Sequence, residues 1–280
     1  AFFEAHGRDV WLDDVDNVRA PADDAVLLTS HVDTVPGQVP VEVQSGPSEV
    51  YEEGPTLWGR GSVDATGPLA AMAVASVRTG VSFVGVTGEE ATSRGARHLI
   101  ESRESNPDAV INGEPSGWDA LTLGYRGLLS GTYLHTSESG HSSRPENNAI
   151  QDAIAWWSAV ESRFGGGPGT ERGARTDDAW TPVFERVTPK PVSMTGGPTD
   201  DGLSVEARME VQLRIPPAHT PEEVREMADA ELTDGTVRWT DSVPPVMESP
   251  RTPVARALRG AIREAGGDPR LLRKTGTSDM

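Results

Sequence analysis

"VSFVGVTGEEATSRGARHLIES", residues 81–102, begins with a β-branched and aromatic run, breaks at a glycine followed by two adjacent acids, and resumes with helical spacing. Residues 81–90 read as a buried strand ending in polar groups, and 92–102 as a helix with Thr92 or Ser93 as its N-cap. The same grammar extends outward in both directions. "AVLLTSH" (25–31) and "DAVINGEP" (108–115) read as further buried strands with polar ends, and "GPLAAMAVASVR" (67–78) as a second helix. Strand and helix alternating in this way specify an α/β domain, a mostly parallel sheet flanked by helices. Such sheets bind ligands just beyond the carboxyl ends of their strands.

Beyond about residue 124 the grammar changes. "YRGLLSGTYLHTSES" alternates like an antiparallel strand, "NNAIQDAIAWWSAVESRF" is a helix, "GLSVEARMEVQLRIP" is another strand, and "TPEEVREMADAEL" is a capped helix with acids in its first turn. This is the pattern of a separate α+β insert, with a Gly/Pro/Arg loop at 165–175. The helix "TPVARALRGAIREAGG" (252–267) could return to the first domain. The expected organisation is a catalytic domain over 1–122 and 241–280, interrupted by an α+β domain over 123–240. The ends, "AFFEAHGRDV" and "RKTGTSDM", read as internal to a longer pattern, so the chain is expected to be truncated, at the C-terminus in particular.

Composition narrows the function. Forty-three Asp and Glu oppose 25 Lys and Arg, a formal net charge of -18, and only Lys190 and Lys274 are lysines. So acidic a surface fits a high-salt cytoplasm, where concentrated salt screens self-repulsion. It opposes binding to nucleic acid or anionic membranes, both of which need positive patches. The absence of cysteine excludes disulfides, thiolate metal sites and cysteine nucleophiles. No apolar run reaches the ~20 residues of a membrane-spanning helix. A cytoplasmic protein is the expectation.

Acidic doublets occur seven times, so Glu89 and Glu90 mean little by count. Position separates them. The strand ends deliver His31 and Asp33 in "LLTSHVD", Asp64 in "LWGRGSVDATG", Glu89 and Glu90 in "VGVTGEE", and Glu114 in "INGEP". One histidine and five carboxylates therefore converge on one sheet edge, and so many like charges need cations between them. A divalent pair is the simplest compensation; mixed His/carboxylate donors suit Zn²⁺, with Co²⁺ or Mn²⁺ as alternatives. Asp64 is central enough to bridge two ions, although an Asp there could instead cap the following helix. Alternate residues of "HVD" point the same way, so Asp33 could steady the His31 ring. Neighbouring side chains on an extended backbone diverge, so Glu89 and Glu90 should have different tasks.

"SHVDTVPG", "LWGRGSVDATGPLAAM", "GVTGEEATSRGA", "NGEPS", "GHSSRPENNA" and "KTGTSDM" together resemble the co-catalytic metallo-aminoacylases and peptidases of the M20 type, over nearly the whole chain. "GRGSVDATGPLAAM" with "KTGTSDM" is most similar to the members that release lysine or ornithine from an amino-group carrier protein. The resemblance implies that His31, Asp64, Glu90 and Glu114 hold two divalent ions, with Asp64 bridging and Asp33 orienting His31. It implies Glu89 as general base, and His141 as an oxyanion donor reaching across a homodimer formed through the α+β lid. Closure between the lid and the catalytic domain would complete the site. Arg214 would clamp the substrate α-carboxylate or be an edge-strand surface cation; Lys274 and Asn148 are further substrate-side candidates. The implied substrate is an N-acyl amino acid or carrier-linked lysine or ornithine, in lysine or arginine biosynthesis. A general aminoacylase or dipeptidase and a non-catalytic binding homologue are the alternatives. The family's last ligand, a histidine downstream of "TSDM", is not in this sequence, and neither His98 nor His135 is an obvious substitute.

Overall fold

The computed structural model describes residues 1–45, 54–140, 145–165 and 182–279. The Gly/Pro/Arg loop expected at 165–175 lies almost wholly outside them. The chain divides into two compact units, residues 1–118 with 278–280, and residues 119–277.

The first unit is built on a five-stranded mixed sheet ordered β1-β2-β6-β3-β7. Its strands are β1 (Trp11–Leu12), β2 (Val18–Ala20), β3 (Asp23–His31), β6 (Val81–Val86) and β7 (Ala109–Asn112). As expected, β3 is parallel to both β6 and β7. At one side of the sheet β2 pairs antiparallel with β6, and the edge strand β1 antiparallel with β2, which makes the sheet mixed. A short helix α1 (Phe2–Ala5) precedes the sheet, and β4 (Glu42–Gln44) pairs with β5 (Thr56–Trp58) in a separate ribbon.

Strand periodicity places the helices. On one face Leu28 and Phe83 pack with Ala20 and Phe3, and helix α2 (Thr66–Thr79) adds Leu69 and Met72. Their neighbours Leu27, Val84 and Val86 point to the other face and pack on Leu99 of α3 (Arg94–Ser102). The sheet is therefore covered on both sides, and each fully buried Leu, Val or Phe contributes roughly 1.5–3 kcal/mol relative to exposure.

The second unit has a four-stranded antiparallel sheet ordered β10-β11-β9-β12. These are β9 (Gly127–Glu138), β10 (Thr188–Pro198), β11 (Ser204–Ile215) and β12 (Thr236–Val243). Helices α4 (Ala149–Arg163) and α5 (Pro221–Asp229) cover it. Trp156, Trp157 and Val160 of α4 pack with Leu129, Tyr133, Met209 and Val211 of the sheet and with Val224 and Ala228 of α5. The Trp156 indole donates to the Ala228 carbonyl at 3.0 Å, so the one polar atom of that ring is satisfied inside the core.

A three-stranded sheet completes this unit, with β8 (Ala120–Tyr125) between β13 (Val246–Met247) and β14 (Arg270–Lys274). Helix α6 (Pro253–Glu264) packs Ala255 and Ile262 on Leu121 and Leu123 of β8. The sequence division placed boundaries near 122 and 240, whereas residues 241–277 here group with the second unit. The reason is local: β13, β14 and α6 all find their partners on β8.

Candidate metal centre

Four chain segments carry the site of the first unit, and each is fixed by an identifiable contact. His31 ends β3 and is almost wholly buried. Its Nδ1–H donates to the main-chain carbonyl of Asp33 at 2.9 Å, because a carbonyl can only accept. In the neutral ring that bond leaves the lone pair on Nε2, the tautomer a metal ligand needs. Nε2 lies 2.9 Å from Asp64 Oδ1. A neutral imidazole lone pair and a carboxylate oxygen do not approach this closely unless a proton or cation sits between them.

Asp33 departs from expectation. Its carboxylate is 4.0 Å from His31 Nδ1, and the ring is steadied by the main chain of Asp33 instead. The carboxylate accepts the amide N–H of Gly88 at 2.8 Å and those of Glu89 and Glu90 at 3.3 Å. Three successive amides form a cradle for an anion. Asp33 thereby holds the turn that presents the two glutamates. Gly88 adopts φ 76°, and a Cβ there would press on the Arg94 side chain at 2.8 Å.

Asp64 precedes α2, whose N-cap is Ala65 with no side-chain cap bond, so the helix-capping alternative does not hold. Ser93 is the N-cap of α3, as anticipated, but in a left-handed conformation and without a capping side-chain bond. Glu114 follows β7 on a loop pinned by two contacts to β3: Gly113 N–H donates to the Thr29 carbonyl and the Ser30 hydroxyl to the Gly113 carbonyl, both at 2.7 Å.

These placements bring His31, Asp64 and Glu90 together, with one ligand atom from each lying within 4.8 Å of the others. The donor set, one imidazole and two carboxylates, suits a divalent ion such as zinc. Glu89 stands beside this group rather than in it. Burial first, then the charges of Glu114 and Asp279, push its carboxyl up to about 7, with Glu90 adding and His31 opposing. His31 is also raised: burial acts against its charged form, and the bond to Asp64, the Asp33 carbonyl and the charges of Glu89 and Glu114 outweigh it.

Asp279 is a member of the cluster that sequence reasoning missed. Its carboxyl is raised, chiefly by burial and further by Asp33, while Ser93, His31 and Arg97 act the other way. Next to it, the buried Ser278 hydroxyl accepts the Asn112 amide at 3.2 Å and so ties the "TSDM" segment to β7. The only signal in the sequence was its position within "TSDM".

Of the remaining candidates, His141 lies outside the described residues. Asn148 is the N-cap of α4, its side-chain oxygen accepting the amides of Ile150 and Gln151. Lys274 lies over the Tyr125 ring at 5.7 Å, and half-buried Arg214 donates to the Thr277 hydroxyl. His98 lies near Asp13 and His135 near Asp152, so neither joins the metal cluster.

The model of peptidase family M20/M25/M40 matches residues 27–280. The chain belongs to that family. Among M20 relatives, it is 34% identical over 283 residues to a protein of Thermococcus kodakarensis described as a putative LysW-lysine/LysW-ornithine hydrolase, covering 99% of this chain and 70% of the relative. It is 36% identical to a LysW-lysine hydrolase of Deinococcus radiodurans, covering 98% of this chain and 75% of that one. Solved M20-like structures share the fold: a Staphylococcus aureus tripeptidase with TM-score 0.68 and 20% identity, covering 99% of this chain and 77% of its own. A metallo-carboxypeptidase of Sulfolobus solfataricus gives TM-score 0.67 at 17% identity, covering 100% and 81%. Membership of M20 makes the protein a metallohydrolase by family, with divalent metal implied. No helix among the described residues is long and apolar enough to cross a membrane.

Proposed function

We propose that this M20 hydrolase cleaves the amide that joins the α-amino group of lysine or ornithine to an acyl group or to a carrier protein's glutamyl group. The observation that carries the reading is the approach of His31 Nε2 to Asp64 Oδ1 at 2.9 Å, with Glu90 in the same cluster and Glu89 raised to about 7 beside it. The relatives described as LysW-lysine and LysW-ornithine hydrolases support the substrate class.

His31, Asp64, Glu90 and Glu114 would hold two divalent ions, zinc first and cobalt or manganese as alternatives. When bound, such ions supply Lewis acidity for the amide carbonyl and for the attacking water. The chain's own part starts with Glu89. A carboxyl that titrates near neutrality can accept a proton from water and return it to the leaving amine at physiological pH. Asp33 keeps Glu89 and Glu90 in register by holding their amides, and His31 is kept in its ligand tautomer by the Asp33 carbonyl. Arg214, with Lys274, is assigned to the α-carboxylate of the released amino acid, a contact suited to a guanidinium fork. His141 as an oxyanion donor, and a homodimer through the second unit, belong to the same reading.

The test is metal-dependent release of lysine or ornithine by the full-length protein, compared on N-acyl amino acids, dipeptides and carrier-linked lysine. Release from none of these, with zinc or cobalt supplied, overturns the reading. Two variants probe the division of labour. Glu89→Gln should keep metal and lose at least about a hundredfold in rate, the usual scale for a general base. Glu90→Gln should first weaken metal binding, measured by equilibrium dialysis. Equal metal loss in both would refute separate roles.

A further inference from the structure

Arg126 joins β8 to β9 and is 5% exposed, an unusual depth for a guanidinium. Burial and the like charges of Arg214 and Arg186 hold it below the ordinary arginine value. Among the described residues no carboxylate pairs with any of these three, although Arg273, two strand positions away on β14, pairs with Glu185. In a chain of net charge -18, three clustered guanidiniums without an acid make a concentrated positive centre.

The bonds of Arg126 are directed at the backbone. Its Nε–H donates to the Thr275 carbonyl at 2.9 Å. Its Nη1 donates to the carbonyls of Val183 at 3.1 Å and Arg186 at 3.3 Å, and to the Thr188 hydroxyl at 2.8 Å. Its own amide donates to the Gly276 carbonyl at 3.0 Å. Its carbonyl accepts the Thr277 hydroxyl at 2.9 Å. One residue therefore ties down 275, 276 and 277 in succession. The Thr277 hydroxyl has a single proton, and spending it on Arg126 leaves its oxygen to accept from Arg214 Nη1.

We infer that Arg126 is a positioning residue for substrate specificity: by fixing the 275–277 segment it sets the Thr277 hydroxyl, which aims the Arg214 guanidinium at an α-carboxylate. The inference rests on the assignment of Arg214 to that carboxylate. Preorganising the cation in this way avoids ordering a rotamer-rich side chain at the moment of binding.

The experiment uses the full-length, metal-loaded enzyme and two probes, an N-acyl-lysine it turns over and the same compound with the α-carboxylate converted to carboxamide. Arg126→Lys keeps the charge and loses the fork; Thr277→Val loses the hydroxyl while keeping its shape. Each should raise KM for the carboxylate probe about tenfold with kcat changed less than about twofold, and reduce discrimination between the probes by the same factor, roughly the worth of one charge-assisted contact. Thr277→Ser should restore discrimination. If Arg126→Lys fails to fold, Thr277→Val and Thr277→Ser decide. Unchanged discrimination in the folded variants, with only a lower melting temperature, overturns the inference and leaves Arg126 as scaffold. Arg214→Met separates the two levels: if it too leaves discrimination unchanged, the carboxylate assignment itself falls.

Discussion

Replacing Asn17 by alanine tests how the glutamate turn is held from behind. Asn17 is fully buried and is bonded to three segments at once. Its side-chain N–H groups donate to Asp13 Oδ2 and the Gly95 carbonyl, both at 3.0 Å, and its oxygen accepts the Thr87 amide at 3.0 Å. Thr87 is the residue immediately before Gly88, Glu89 and Glu90, and Gly95 lies in the first turn of α3. Truncation orphans the buried Thr87 amide, which costs about 1–3 kcal/mol, and removes bonds worth about 1 kcal/mol each net, more for the one to a carboxylate. The sum is about 3–4 kcal/mol, large against a whole-domain stability of about 5–15 kcal/mol. Urea denaturation followed by tryptophan fluorescence measures it. Amide exchange should also show the 84–95 segment opening before the rest of the first unit. A loss below about 1 kcal/mol, or unchanged protection of that segment, would refute the reasoning.

Three further outcomes are expected. Gly95→Ala should cost about 3 kcal/mol or prevent accumulation of folded protein, since its Cβ would collide with Asn17 Oδ1 and the Thr87 main chain; a melting temperature equal to that of the parent would contradict this. Asp13 contributes an acid-sensitive share of stability. Burial would raise its carboxyl, but hydrogen bonds from Asn17, Val15 and Arg19 outweigh that and hold it below the ordinary value. A depressed folded pKa means the contribution is complete above the unfolded value and disappears as pH falls through the folded one. The stability gap between parent and Asp13→Asn should therefore shrink between about pH 5 and pH 2, and a constant gap would count against it. Finally, raising KCl from 0.1 to 1 M shortens the screening length from about 10 to 3 Å and should raise the unfolding midpoint of a chain carrying charge -18. A flat or falling midpoint would show that self-repulsion is not what limits stability.

Much of the site was legible before folding because it lies at strand ends. His31, Glu89, Glu90 and Glu114 were singled out by asking what terminates each apolar run, and Asp64 by its place at the entrance to a helix. Asp33 was singled out as the residue that steadies His31, and its carbonyl does accept the Nδ1–H of that ring. Spacing could not show that its carboxylate also accepts three amides of the turn at 88–90. Asn17 stood among ordinary turn residues and Asp279 had only its place in "TSDM" to mark it, because Thr87 and Gly95, and His31 and Asp33, which face them, are distant in sequence. Arg126 was invisible for a related reason: an arginine in "GYRG" reads as surface, and only its carbonyl partners explain its burial.

Apolar periodicity, strand-end chemistry and charge balance are local or additive properties, so the sequence by itself determined the α/β class, the insert of antiparallel strands, the metal-type donor set and the acidic surface. Hydrogen-bond partners between remote segments depend on how strands and turns meet in space. Tertiary structure alone therefore decided that the amides of the 88–90 turn cradle the Asp33 carboxylate, that His31 Nδ1 donates to the Asp33 carbonyl, that burial and neighbouring acids push the Glu89 carboxyl up, and that β8 gathers β13, β14 and α6 into the second unit.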